Sequence, residues 1–207
     1  MAVHLVDHPL VHDALQELRD KSTTPTAFRR AAARITTLIA VEAMRDAPTT
    51  EVTVDTPIGP ASGRRLADDV VVVPVLRAGL GMLDSILELA PQARVGHIGL
   101  QRDETTAVAS QYYAKFPARL ESSFVLMVDP MLATGGSAIA ALELLHRAGA
   151  RRVHVVCIVA APEGIAALEL RFPNAQIFTP VIDQGLNAHK FIVPGLGDFG
   201  DRLYGTT

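Results

Sequence analysis

Five short apolar runs, each rich in Val and Ile, recur between polar or helix-like stretches: Val70–Val75, Arg94–Leu100, Phe124–Asp129, Val153–Ala160 and Gln176–Ile182. Most are apolar almost throughout instead of alternating, the pattern of strands covered on both faces. With helical stretches between them they predict an α/β fold: an open, mainly parallel five-stranded sheet flanked by helices. The helices are expected over Leu80–Leu89, Gly135–Ala148 and Glu163–Arg171. In the second of these Ile139, Leu142 and Leu145 share a face, and Gly149 supplies the stop. Ahead of the sheet, Asp7 is expected to cap a helix carrying Leu10, Leu15 and Leu18, and Thr24-Pro25 to open another with Phe28, Ile35 and Leu38 inward. Pro48–Asp69, with its Thr, Pro and Gly turns and the Val52/Val54 alternation, reads as a hairpin or meandering excursion. The tail from Gly185 to Thr207 is Gly-rich yet carries Phe191, Ile192, Val193, Leu196, Phe199, Leu203 and Tyr204, too apolar to stay unfolded.

Composition narrows the class. A chain of 207 residues, 49% hydrophobic and 20% charged, suits one domain with one substantial core. Its longest apolar runs, Val70–Leu76 and Val153–Pro162, fall well short of the roughly 20 residues that cross a bilayer. Met1–Asp7 has neither a basic segment nor a long apolar segment with a cleavage site, so a cytoplasmic protein is expected. The single Cys157 lies in an apolar run and allows neither an intrachain disulfide nor a Cys-cluster metal site. Nineteen basic against twenty-two acidic residues leave no net positive field for nucleic acid. The seven histidines read as surface or core residues rather than ligands, and no protein-held metal is expected.

In open parallel sheets ligands bind beyond the carboxyl ends of the strands. The segment leaving each run is polar and Gly-rich: Arg77-Ala78-Gly79, then Arg102-Asp103-Glu104, then Asp129 with Thr134-Gly135-Gly136-Ser137, then Ala161-Pro162-Glu163-Gly164, then Asp183-Gln184-Gly185. At the third, Val125-Leu126-Met127-Val128 delivers Asp129 at a strand end, and Thr134–Ser137 begins a helix. Unpaired N–H groups and two hydroxyls converge there, which suits a phosphate, while Asp129 suits the hydroxyls of an attached sugar. The same residues would also serve a plain strand-to-helix turn. Arg77 and Arg102, leaving neighbouring strands, add a second anionic requirement, because Arg pairs bidentately with phosphate. No G-x-x-x-x-G-K-[ST] occurs, and Gly195-Leu-Gly197-Asp-Phe-Gly200 lies too near the end of the chain to open a dinucleotide-binding βαβ unit.

Val128-Asp129-Pro130-Met131-Leu132-Ala133-Thr134-Gly135-Gly136-Ser137 closely resembles the phosphoribosyl pyrophosphate signature of type I phosphoribosyltransferases, in its uracil phosphoribosyltransferase form. The likeness extends over nearly the whole chain, through His8–Val11, Pro74–Met82, Tyr112–Lys115, Ala160–Gly164, Ile182–Asn187 and Pro194–Asp201. It implies transfer of the 5-phosphoribosyl group from 5-phosphoribosyl 1-pyrophosphate to uracil, giving UMP and pyrophosphate. Arg77, Arg102 and Asp198 would contact the donor, and Asp129, Pro130, Met131, Leu132, Ala133, Thr134, Gly135, Gly136 and Ser137 would cradle its ribose and 5-phosphate. Ile192 and the backbone of Gly197, Asp198 and Phe199 would hold uracil. Asp129, Asp198 and Arg102 would be the catalytic residues, with Asp198 and the pyrophosphate as candidate proton acceptors. The resemblance also implies Mg2+ bound mainly through the donor, a hood built from about residue 185 onward with part of the N-terminal region, and a flexible arm around Tyr112–Lys115. Self-association into homo-oligomers and activation by GTP belong to relatives.

This chain departs from the family pattern at three places. Pro130 stands where most type I relatives carry a second acid, which argues against paired carboxylates on the ribose. Phe199 replaces a common Ala and Phe116 a common Leu, both expected to be neutral. A pyrimidine-sensing RNA-binding regulator on the same fold would require a basic surface, against the acidic balance here.

Overall fold

The computed structural model describes residues 2–67, 69–102 and 109–206. β1 (Ala2–Leu5), α1 (Pro9–Arg19) and α2 (Pro25–Ala43) lead into a hairpin of β2 (Thr49–Asp55) and β3 (Pro60–Leu66). β4 (Asp69–Leu76), α3 (Leu80–Leu89), β5 (Arg94–Val95), β6 (His97–Arg102) and β7 (Ala109–Lys115) follow. The second half runs through β8 (Ser123–Val128), β9 (Met131–Leu132), α4 (Gly136–Arg147), β10 (Arg152–Val156), β11 (Val159–Ala160), α5 (Pro162–Arg171) and β12 (Gln176–Thr179). The tail holds β13 (Gly185–Leu186), β14 (Ile192–Val193) and α6 (Phe199–Tyr204).

The main sheet runs β1-β12-β10-β8-β4-β6-β7, with β5 beside β4. All pairings are parallel except β6 with β7. Burial explains the continuous apolar runs. Val71, Val73 and Val75 of β4 and Val125 and Met127 of β8 pack against Ala138, Leu142 and Leu145 of α4 on one face. Val72, Phe124, Leu126 and Val128 point the other way, into a layer with Phe28 and Ile35 of α2 and Met82 and Ile86 of α3. Residues two apart share a face, so a strand buried on both sides must be apolar at every position.

The sheet is wider than the five strands expected. β1 joins one edge, parallel to β12, and β7, where the arm was expected, joins the other as an antiparallel partner of β6. Three of the five runs are also subdivided or shortened. Arg94–Leu100 breaks at Gly96. Val153–Ala160 divides at Cys157-Ile158, where the N–H groups of Ile158 and Val159 both donate to the Pro130 carbonyl at 2.9 and 3.0 Å. Gln176–Ile182 stops at Thr179 because Pro180 has no N–H to continue the ladder. Asp7 does not cap α1: His8 does, its Nδ1 accepting from the Leu10 N–H at 3.1 Å. Asp7 instead pairs with His12 at 2.7 Å. Leu10 is exposed, and α1 turns Val11, Ala14, Leu15 and Leu18 inward. Thr24 caps α2 as expected.

Two titratable groups are sealed in the core. Burial pushes the Cys157 thiol up to about 12, so it stays protonated and unreactive at neutral pH. His154 lies between the rings of Phe124 and Phe178 and shares one hydrogen bond of 2.7 Å with the Ala43 carbonyl. A carbonyl only accepts, so Nδ1 carries the proton. Burial lowers the His154 pKa from 6.5, against the opposing pull of the Ala43 carbonyl and Asp46. The unfolded chain therefore binds the proton more readily. Its contribution is full above about pH 6.5 and is lost as the pH falls from there toward the lowered folded value. We expect His154→Leu to be less stable than the parent at pH 7 but to lose less stability between pH 7 and 5, by urea denaturation at each pH. An unchanged pH slope would show that His154 does not set it.

Candidate active site

The chain reverses direction across the sheet between β4 and β8. From β4 it passes by α3 to β6 on one side, and from β8 by α4 to β10 on the other. α3 and α4 lie on opposite faces, so the loops leaving the two strands diverge and open a crevice at their carboxyl ends. A cleft of about 370 Å³ occupies it. It is lined by Leu76 at the end of β4 and Ala78 after it, Leu100 of β6, and Asp129, Met131, Ala133 and Ser137 after β8; across from them lie residues 189–192 and 197–200 of the tail.

The loop after β8 is held rigidly. The Asp129 N–H donates to the Val156 carbonyl at 3.1 Å, and the carboxylate accepts from the Met131 N–H at 3.4 Å. Pro130 is buried, and its carbonyl takes the two N–H groups at the break in the β10–β11 run. β9 pairs with β11 in parallel, which buries Leu132 in the core. Gly135 then starts α4 at φ 81° with no side-chain cap. An added Cβ there would meet the Gly164 carbonyl at 2.9 Å, and one on Gly164 would meet the Ala133 carbonyl at 2.5 Å. Both glycines are needed because α5 packs its first turn directly on the loop. The Gly136 N–H makes only a long bond of 3.5 Å to Thr134 Oγ1, and the amides that follow it in the first turn of α4 suit an anion beside Ser137.

The tail is clamped by N-terminal residues far away in sequence. Arg19, the last residue of α1, makes paired bonds of 2.7 and 3.1 Å to Asp183 and one of 3.1 Å to the Gly195 carbonyl. Asp183 also accepts the Gly195 N–H at 2.8 Å. Arg202 stacks over Phe28 and donates to the carbonyls of Leu18, Leu196 and Asp20. Gly197 takes φ 81°, and Asp198 caps α6 through the Asp201 N–H at 2.9 Å. The Phe199 ring is buried edge-on against Phe28. That is the physical reason a bulky residue is accommodated here.

Asp129, Met131, Ala133, Ser137, Ile192, Gly197, Asp198 and Phe199 thus line one cleft. Pro130, Leu132, Thr134, Gly135 and Gly136 shape the loop without lining it. Arg77 stands outside, exposed, 3.9 Å from Asp201, with its carbonyl accepting from the Tyr204 hydroxyl at 3.3 Å. Arg102 ends β6, but its side chain, like Asp103 and Glu104, lies outside the described residues. His189, Lys190 and Phe191 also border the cleft and were not singled out in the sequence. The one local signal was Asn187, a turn former between Leu186 and Phe191-Ile192.

The doubly wound sheet with this loop at its switch point is the fold of type I phosphoribosyltransferases. An adenine phosphoribosyltransferase of Trypanosoma brucei shares it with a TM-score of 0.58 at 15% identity, over 93% of this chain and 85% of that one. A protein of Aquifex aeolicus of known structure matches with a TM-score of 0.95 at 35% identity, over 100% of this chain and 99% of that one. The family model described as uracil phosphoribosyltransferase matches residues 5–206. A uracil phosphoribosyltransferase of Dictyoglomus turgidum is 51% identical over 205 residues, 99% of both chains. The chain belongs to the uracil phosphoribosyltransferase family, whose members are pentosyltransferases.

Proposed function

We propose that this chain transfers the 5-phosphoribosyl group of 5-phosphoribosyl 1-pyrophosphate to uracil within the 370 Å³ cleft, giving UMP and pyrophosphate. The observation that carries the assignment of roles is the juxtaposition, across one cleft, of Asp129 and Ser137 with the backbone of residues 197–199. The first turn of α4 receives the 5-phosphate, Asp129 binds ribose hydroxyls, and Arg102 meets the diphosphate, joined by Arg77 once its exposed side chain turns from Asp201. Ile192 covers the base, while backbone groups of Gly197, Asp198 and Phe199 match its edge. The tail from Gly185, clamped to α1, forms the hood.

In the reaction the bond from C1′ to the diphosphate oxygen breaks and its electron pair leaves with the diphosphate. The bond from uracil N1 to C1′ forms, and the N1 proton passes to Asp198 or to the departing diphosphate. Charge develops on the ribose and the leaving group, so prepositioned polar groups do most of the catalysis. Among the described residues no group of three His, Cys, Asp or Glu side chains could hold a metal alone. Mg2+ fits as a companion of the donor, with Asp129 as a hard oxygen donor beside the diphosphate and water, where it would neutralise leaving-group charge.

Incubating the protein with donor, Mg2+ and each of uracil, cytosine, thymine, guanine and hypoxanthine tests the reading. UMP is the expected product; another nucleotide in its place would overturn it. Activation by GTP, self-association and a cytoplasmic location belong to the same proposal, and no described helix is long and apolar enough to cross a membrane. Initial rates with and without GTP, and sedimentation, test the first two.

A further inference from the structure

Lys190 sits at the tip of the β13–β14 hairpin with φ 65°, a left-handed backbone that disfavours any residue carrying a Cβ. Asn187 builds the turn. Its side-chain oxygen accepts the N–H groups of His189 and Phe191 at 2.9 and 3.0 Å, and its carbonyl accepts the Lys190 N–H at 2.9 Å. The lysine side chain contributes to none of these bonds, and a glycine would make the turn with less strain. Nor is its ammonium part of any ion pair found among the described residues.

Its position brings a cation to the cleft. Lys190 is the only Lys or Arg among the described residues that line the cleft. The loop from Asp129 to Ser137 offers amides, hydroxyls and one carboxylate, with no cation of its own. The hairpin is tied to that loop through the first turn of α5. There Glu163 accepts the Leu186 N–H at 2.9 Å, and Gly164 packs beneath the Ala133 carbonyl. Lys190 and Ser137 line the same cleft, which a flexible four-carbon ammonium at the tip of the hairpin can enter.

We infer that Lys190 is the cation of the phosphate subsite, pairing with the 5-phosphate of the bound sugar phosphate from the side opposite α4. The inference rests on the phosphoribosyl-transfer reading, and UMP formation by the unaltered protein tests that reading separately. The test itself is titration calorimetry of the parent, Lys190→Gln, Lys190→Arg and Lys190→Gly with UMP, uridine, the donor and magnesium pyrophosphate. Loss of one charge-assisted bond should weaken UMP and donor binding about tenfold in Lys190→Gln. Uridine and pyrophosphate should be unaffected, and Lys190→Arg should recover most of the loss. Lys190→Gly should melt at a higher temperature than the parent yet bind UMP as weakly as Lys190→Gln, which separates the turn from the charge. If the parent forms UMP and Lys190→Gln binds UMP and donor as the parent does, the inference is wrong. Weaker pyrophosphate binding with unchanged UMP binding would also overturn it, by placing the ammonium at the other end of the donor.

Discussion

Asp129→Asn is expected to lower turnover about a hundredfold or more, the scale for removing one prepositioned electrostatic group, while the protein melts close to the parent temperature. The carboxylate is half-buried beyond the end of β8, and its acceptance of the Met131 N–H is a bond that an amide oxygen can reproduce. The loop is fixed instead by backbone bonds and by the burial of Pro130 and Leu132, all untouched by the change. Steady-state rates beside a thermal melt decide the matter. Parent-like turnover would remove Asp129 from the mechanism.

Arg19→Met should be strongly destabilising while leaving the cleft lining intact. Asp183 and Arg19 have side-chain exposures of 3% and 17%, and removing one partner strands a buried carboxylate, at a cost of about 3 kcal/mol. Because the same network grips Gly195 by both its N–H and its carbonyl, the turn leading to residues 197–199 should loosen as well, raising KM for uracil more than KM for the donor. Adding Asp183→Asn should restore part of the stability, since the amide still accepts the Gly195 N–H and carries no charge. A urea denaturation cycle over the two single variants and the double variant measures this coupling. If the stability of Arg19→Met lies within roughly 0.5 kcal/mol of the parent, the scale of a surface substitution, the clamp contributes nothing to stability.

Where a stretch reported its own burial, its structure could be read directly. β4 and β8 are apolar at successive positions because both faces are covered. α4 and α5 carry helical spacing with a turn former or Pro at their starts. The loop after β8 was legible because close backbone approach requires Gly135, and a strand-end Asp followed by hydroxyls is chemistry rather than packing. Other features left no such mark. β1 has four half-exposed or exposed residues and is a strand only because the β12 backbone pairs with it. The break at Cys157-Ile158 depends on the carbonyl of Pro130, far back along the chain. Arg77 was visible as a cation leaving a strand, but its direction toward Asp201 was not.

The sequence alone determined that the chain makes a sheet covered on both sides, with a Gly-rich strand-to-helix turn after its third apolar run, and by resemblance the family. Those properties follow from side-chain hydrophobicity and local backbone freedom. Tertiary structure decided the strand order, the crevice between β4 and β8, the grip of Arg19 on Asp183, and the arrival of Lys190 at the cleft that Ser137 also lines. These join positions far apart along the chain, and such pairings are set by how whole layers pack, a choice no local pattern encodes.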